Sequence, residues 1–264
     1  DAKNGNTVYW DAAVKEYNTL VSRGTWKFVR KCDIPPGSKI LPSVWAFKNK
    51  GTNGVFTGAK ARGNAGGHRQ VKGVHYNESY APTTNLTTFR VTQSIAVEED
   101  MTSLHVDVDS AFLYGVIPEG TVLYMSPFEG FLTFDEDGEP FFYLLVLGIY
   151  GLVQAALLWN QELVTTIVED GYTQCSKDPC LFVKVDESTG THVMIPVHVD
   201  DLLPTGKPLS ALHEFEDNLG KRFNIKKLGE AKWFSAMLIH RTPGRIHISQ
   251  EAYINDLCNE HASE

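Results

Sequence analysis

Val197-His198-Val199-Asp200-Asp201-Leu202-Leu203 sets two adjacent carboxylates inside an otherwise apolar, β-branched run. Such a run reads as a strand. Placing neighbouring aspartates in it is costly, because both lose hydration and their charges repel. A hard divalent cation removes the conflict by giving the oxygens a partner. Taken alone, the triplet is as readily an exposed turn as a site. A second stretch, His105-Val106-Asp107-Val108-Asp109-Ser110-Ala111-Phe112-Leu113, shifts the balance. Leu104, Val106 and Val108 alternate with His105 and Asp107, which predicts a strand with the two polar residues on one face. Side by side, the two strands bring Asp107 to Asp200 and Asp201. That is a three-carboxylate cradle of the kind two-metal phosphoryl transfer requires.

Outward from these strands the pattern stays mixed. Trp10, Ala13, Val14, Tyr17, Leu20 and Val21 recur at helical spacing, and Gly24 supplies a stop. Helices are predicted over 86–99, 152–169, 209–219 and 251–260. Strands are predicted over 26–29, 43–47, 102–108, 180–185 and 192–199. Gly51-Thr52-Asn53-Gly54 has hairpin-turn chemistry and leads back through Val55-Phe56 toward Lys60 and Arg62. A second hairpin is expected from 233–241 and 245–249 around Pro243-Gly244. No internal repeat or low-complexity linker divides the chain. Antiparallel strands with helices on one side indicate an α+β architecture.

Residues 141–159 form a nineteen-residue apolar stretch whose only strongly polar side chain is Gln154. By length it could span a membrane. Gly148 and Gly151 interrupt it, however, and a strand-like half leads into a helix-like half. A buried strand, a turn and a buried helix is the better reading, and no membrane partner is expected.

The four cysteines, Cys32, Cys175, Cys180 and Cys258, form neither a disulfide framework nor a paired zinc motif. Buried or neutral thiols in a reducing, intracellular compartment fit them. The formal charge is −8, which is unpromising for a binder of phosphates. Its distribution is uneven. Within 45–90, Lys48, Lys50, Lys60, Arg62, Arg69, Lys72 and Arg90 face Glu78 alone, a local balance of +6 against −14 elsewhere. That suits a local nucleic-acid or nucleotide site, or else a solvated charged face.

At this point the chain resembles the reverse transcriptases of Ty1/copia retrotransposons. The likeness rests on many motifs in fixed order. They are Trp10-Asp11-Ala12-Ala13, Gly24-Thr25-Trp26, Trp45-Ala46-Phe47-Lys48, Lys60-Ala61-Arg62 and His75-Tyr76-Asn77-Glu78-Ser79-Tyr80-Ala81-Pro82. They continue through the Asp107–Gly115 run, Ile149-Tyr150-Gly151-Leu152, Asp178-Pro179-Cys180-Leu181-Phe182 and Val199-Asp200-Asp201. Leu228-Gly229-Glu230 and Ser249-Gln250-Glu251-Ala252-Tyr253-Ile254 carry them nearly to the end.

The resemblance implies RNA-directed DNA polymerase chemistry on a fingers-and-palm fold, with an antiparallel palm sheet backed by helices and the thumb mostly absent. It places fingers and the start of the palm in 1–100, and the first palm strand in 101–118. A second fingers segment follows in 119–160, the rest of the palm with its two hairpins in 161–249, and the start of the thumb in 250–264. Asp107, Asp200 and Asp201 match the ligands of two Mg²⁺ (or Mn²⁺) ions. Lys60, Arg62, Ser110, Ala111, Phe112 and Gln154 match nucleotide-binding positions, Phe112 as the gate against a ribose 2′-hydroxyl. His198, Trp233, Phe234 and Met237 fall where primer and template are held. Partners implied are an RNA or DNA template with primer, a dNTP, and protease, integrase and ribonuclease H segments of one polyprotein. The implied location is cytoplasmic, in a virus-like particle, or nuclear.

Departures are specific. Gly63-Asn64 stands for Leu-Val, Val153 and Leu147 for lysines, Leu157 for an arginine, His198 for a tyrosine and Ser235-Ala236 for Leu-Gly. Lost cations weaken phosphate binding. Two readings stay open: a working polymerase, or a decayed or domesticated relative that binds nucleic acid or protein.

Overall fold

The computed structural model describes residues 7–52 and 55–261, so the Asn53-Gly54 tip of the first predicted hairpin lies outside the described residues. The chain divides into two compact units, one of residues up to Ala81 with Phe112–Glu162, the other of Pro82–Ala111 with Leu163 onward.

The first unit opens with helix α1 (Val8–Ser22), stopped at Gly24, whose φ of +65° suits glycine. Strands β1 (Trp26–Val29) and β2 (Ile40–Leu41) follow, then the ribbon of β3 (Ser43–Thr52) and β4 (Val55–Ala65). Ribbon register pairs Ser43 with Ala65 and Thr52 with Val55, broken by one irregularity at Lys50/Gly51. The ribbon is longer than the sequence predicts at its first strand, because Lys48 to Gly51 extend without apolar alternation. The second unit contributes α2 (Leu86–Glu98) and β5 (Thr102–Val108) before the chain re-enters the first with β6 (Tyr124–Met125) and β7 (Phe142–Leu145). The four-stranded sheet of the first unit runs β1-β7-β6-β2. Its core is aromatic: Trp26 stacks on Tyr143 at 4.2 Å, and Trp45 lies 4.7 Å from Phe128. Burying each such ring is worth on the order of 2–3 kcal/mol.

The apolar stretch 141–159 resolves as expected into β7, a turn and a helix, α3 (Ala155–Glu169), which starts three residues later than predicted. Among the described residues no helix is long and apolar enough to cross a membrane. The delay has a local cause, since the amide of Val153 is taken by the Gln70 side chain at 2.8 Å. Cys180 is buried and its thiol pushed up to about 12 by desolvation, whereas Cys32 and Cys258 are exposed; all four are free thiols.

The second unit continues with β8 (Thr173–Gln174), β9 (Leu181–Asp186), β10 (Thr191–His198), β11 (Asp201–Leu202) and β12 (Thr205–Lys207). Then come α4 (Leu209–Arg222), β13 (Ile225–Glu230), β14 (Trp233–Phe234), β15 (Met237–Thr242), β16 (Arg245–Ser249) and α5 (Glu251–His261). Its seven-stranded sheet places β5 between β13 on one side and the in-line segments β11 and β12 on the other, with β10, β9 and β8 beyond. All these pairings are antiparallel, giving the α+β class expected. Leu104, Val106 and Val108 are buried, as the alternation required.

Asp178 accepts the amides of Asn85 at 3.0 Å and Cys180 at 2.9 Å, tying β9 to the Asn85 cap of α2. Burial pushes its carboxyl up, but the Thr88 hydroxyl and these two amides outweigh burial and hold it below the usual aspartate value. A depressed carboxyl stabilises the fold above its unfolded pKa, about 3.9, and the contribution disappears as pH falls through the lower folded value. Asp178→Ala is therefore expected to cost about 2 kcal/mol at pH 7 and progressively less below pH ~4. Urea midpoints across pH measure it, and a cost independent of pH down to strong acid would contradict the assignment.

The stretch 233–241, predicted as one strand, is two. A two-residue turn at Ser235-Ala236 folds β14 onto β15, with Trp233 opposite Leu238 and Phe234 opposite Met237. Both turn residues have left-handed φ, +48° and +62°. That is the hairpin geometry Asn-Gly prefers, and each L-residue held there costs roughly 1 kcal/mol. Replacing the pair by Asn-Gly is expected to raise stability by about 1 kcal/mol, read as a higher urea midpoint at unchanged slope. An unchanged or lower midpoint would show the turn is not strained.

Candidate active site

Three strands of the second unit meet at Asp107. It pairs with Asp201 of β11 on one side and with Lys226 of β13 on the other. Directly opposed residues of antiparallel strands share a face, so Asp107, Asp201 and Lys226 emerge together while Val106 and Val108 go to the core. The turn between β10 and β11 consists of Val199 and Asp200, since His198 pairs with Asp201. Val199 has φ +60°, a left-handed conformation that a β-branched side chain strongly resists. The turn is pinned by the Val108 amide, which donates to the Asp200 carbonyl at 3.0 Å. Surrounding structure thus holds a strained residue at the carboxylate pair, a pattern found at functional sites.

The carboxylates are engaged by nearby cationic or polar groups. Lys226 Nζ donates to Asp107 Oδ2 at 2.9 Å and also to Asp109 Oδ1. The hydrogen bond to Asp109 is the largest cause that holds the ammonium above its usual pKa, with Asp107 adding to it. His105 Nε2 lies 3.0 Å from Asp201 Oδ1. Asn224 ties Asp109 from both directions, its Nδ2 reaching Oδ2 at 3.3 Å and its carbonyl accepting the Asp109 amide at 2.9 Å. Among the described residues no three His, Cys, Asp or Glu side chains converge as a metal-holding group. The donors present are nevertheless hard carboxylate oxygens, and they already draw in an ammonium. Their chemistry suits a hard divalent ion once that ammonium gives way.

Ser110 follows with φ +55° and opens the short turn Ala111–Tyr114, with Ala111 buried. His198 Nδ1 is buried without a hydrogen-bond partner among the described residues, and its ring stands edge-on to Phe234 at 6.4 Å. Phe234 and Met237 are core residues, packed with Phe89, Leu203 and Ile239. Of the expected primer-contacting side chains on this hairpin only Trp233 is exposed.

In the first unit, Lys60 and Arg62 point outward from β4 while Ala61, Gly63 and Ala65 are buried. The Arg62 guanidinium sits 4.9 Å over the Tyr150 ring, and Phe112 meets the same ring edge-on at 5.2 Å. Arg62 and Phe112 are thus positioned by one tyrosine. The loss of a side chain at Gly63 has a packing counterpart, because a Cβ there would lie 2.8 Å from the Phe128 ring. Gln154 is buried, with Nε2 donating to the His75 carbonyl at 3.1 Å and Oε1 accepting from Gln70 at 2.9 Å. Both ends of its amide are hydrogen-bonded within the fold. Sequence reasoning missed Lys226 and the Asp109–Asn224 pair. The available signal was charge: Asp107 and Asp109 on one strand end call for a cation, and Ile225-Lys226-Lys227 supplies one.

Comparison with known proteins identifies the family. Residues 23–262 match the family described as reverse transcriptase (RNA-dependent DNA polymerase). The retrovirus-related Pol polyproteins from transposons RE1 and RE2 of Arabidopsis thaliana are each 32% identical over 250 residues, 94% of this chain. The Pol polyprotein from transposon TNT 1-94 of Nicotiana tabacum is 31% identical over 247 residues, 92% of this chain. The chain spans only 16–18% of those polyproteins' length. A solved foamy viral protease–reverse transcriptase in complex with double-stranded DNA is similar over 93% of this chain and 36% of its own. That likeness has a TM-score of 0.47 at 11% identity.

Proposed function

The chain belongs to the reverse transcriptase (RNA-dependent DNA polymerase) family, and from that premise we propose that it extends a primer 3′-hydroxyl with dNTPs on an RNA or DNA template. The observation that carries the reading is the facing of Asp107 and Asp201 across β5 and β11, with Asp200 in the strained turn beside them. Asp107, Asp200 and Asp201 would hold two Mg²⁺ or Mn²⁺ ions, which supply activation of the 3′-hydroxyl and stabilisation of the leaving pyrophosphate. Strands β5, β10 and β11 fix those carboxylates on a rigid sheet. Ser110 and Ala111 present the backbone to a triphosphate, and Lys60 and Arg62 offer it positive charge. Phe112 crowds a ribose 2′-hydroxyl, and Tyr150 keeps both Phe112 and Arg62 in place. Gln154 supports this set from the interior. Trp233 contacts the primer, positioned by Phe234 and Met237, and His198 lies beside it.

On this reading 1–100 are the fingers and the start of the palm, 119–160 a second fingers segment, 101–118 and 161–249 the palm, and 250–264 the start of the thumb. Free thiols fit work inside a cell, in the cytoplasm or nucleus, within a polyprotein that also carries protease, integrase and ribonuclease H segments. A second reading, a binding module without catalysis, draws on the replacement of basic residues by Leu147, Val153 and Leu157. Primer extension on an RNA template with Mg²⁺ or Mn²⁺ separates the two. Extension supports the polymerase, while primer–template binding without extension leaves the binding module.

A further inference from the structure

Asp109 is an acidic group that the proposed chemistry leaves unused, although it stands at the end of β5 two residues beyond Asp107. It is held firmly. Asn224 grips it through side chain and backbone, just past the last β5–β13 pair, Val108 with Ile225. Its other oxygen accepts the Lys226 ammonium, the same ammonium that donates to Asp107 Oδ2 at 2.9 Å. One cation is therefore shared by two carboxylates, and only one of those carboxylates belongs to the metal cradle.

A divalent ion on Asp107 and an ammonium at hydrogen-bond distance from the same carboxylate repel each other. One must yield. The Lys226 side chain is 53% exposed, so its ammonium is well hydrated and its flexible stem can swing without disturbing the core. It needs only to release Asp107 while keeping its hold on Asp109.

We infer that Asp109 is a positioning residue that receives the Lys226 ammonium when a divalent ion occupies Asp107, so that lysine and metal exchange on one carboxylate. The inference rests on the metal-dependent reading above. In the metal-free protein Lys226 closes the cradle and cancels the repulsion among its carboxylates. On metal binding, Asp109, anchored by Asn224, gives the displaced charge a fixed destination. The simpler alternative is that Asp109 adds one more negative charge to the local field and acts on metal directly.

A double-mutant cycle decides between them. The whole chain, Asp109→Asn, Lys226→Gln and the double variant are titrated with Mn²⁺, with free Mn²⁺ followed by electron paramagnetic resonance. Unfolding midpoints in EDTA confirm that each variant is folded. Lys226→Gln removes the competitor and is expected to tighten Mn²⁺ about tenfold. Asp109→Asn is expected to loosen it about tenfold in the natural background but less than about twofold beside Lys226→Gln, because its effect runs through the lysine. Equal loosening in both backgrounds overturns the inference, as does a Lys226→Gln variant that binds no more tightly. Asp200→Asn serves as reference. If the natural chain binds Mn²⁺ no better than that variant, the metal-dependent reading itself falls, and the inference with it.

Discussion

On the polymerase reading, Asp107→Asn and Asp200→Asn are each expected to lower primer extension on an RNA template by at least about a thousandfold, a loss of roughly 4 kcal/mol of transition-state stabilisation. The substitution keeps side-chain size, so it tests charge. Asp107 emerges near the C-terminal end of β5 between two paired strands, and the buried Val106 and Val108 beside it anchor the strand. Asparagine should fit that environment with the sheet intact. It cannot supply the anionic oxygen that a hard divalent ion requires. The two variants should still differ in the metal-free state. Asp107→Asn strips Lys226 of one of its two carboxylates, whereas Asp200 is linked to β5 by its backbone carbonyl, which the substitution leaves in place. The check is extension rate in Mg²⁺ and Mn²⁺ for protein shown to be folded by its unfolding midpoint. Rates within tenfold of the natural chain would remove these carboxylates from the chemistry and favour the binding module.

How far the sequence revealed this depended on whether the chemistry lay along one strand or between strands. Alternation within 102–108 identified the buried and polar faces of β5 and put His105 beside Asp107 on the correct side. It could not reveal that His105 meets Asp201, because that contact depends on register with a strand ninety-odd residues away. β13 escaped notice for a related reason. Ile225 is half-buried and the rest of the strand is exposed, so no period of two appears in its side chains. Its Lys226 became meaningful only when pairing set it opposite Asp107. Strands of two residues such as β2 and β6, paired in parallel, carry no periodic signal at all. Residue pattern alone hid the Ser235-Ala236 turn, because neither residue announces a left-handed backbone, whereas the resemblance already placed the primer-holding hairpin of Trp233, Phe234 and Met237 there. Burial was equally illegible: Phe234, Met237 and Gln154 stand at positions the resemblance singles out, yet their side chains are buried.

Gly67→Ala is expected to cost more than about 3 kcal/mol, a large effect for a single added methyl. Gly67 begins the short turn after β4, and a Cβ on it would lie 2.0 Å from the carbonyl oxygen of Gly151. That obstacle is backbone, so no side-chain rotation relieves it. Gly151 cannot retreat easily, since its φ is +85° and its own Cβ position lies 2.2 Å from the Ala65 carbonyl oxygen. The two segments are also bonded to each other. The Ala65 amide donates to the Tyr150 carbonyl at 2.8 Å, and Gln70 binds both the Val153 amide and the Gln154 side chain. Forcing the segments apart would break these bonds and shift Tyr150, on which Arg62 and Phe112 rest. Gly138→Ala provides the contrast. Gly138 has φ +80° but nothing within 4 Å of the added methyl, so only the left-handed backbone is penalised, at about 1 kcal/mol. Urea unfolding of both variants measures the difference. Equal losses would mean that the crossing of the Gly67 and Gly151 backbones is looser than these distances require, and that the placement of Arg62 and Phe112 does not depend on it.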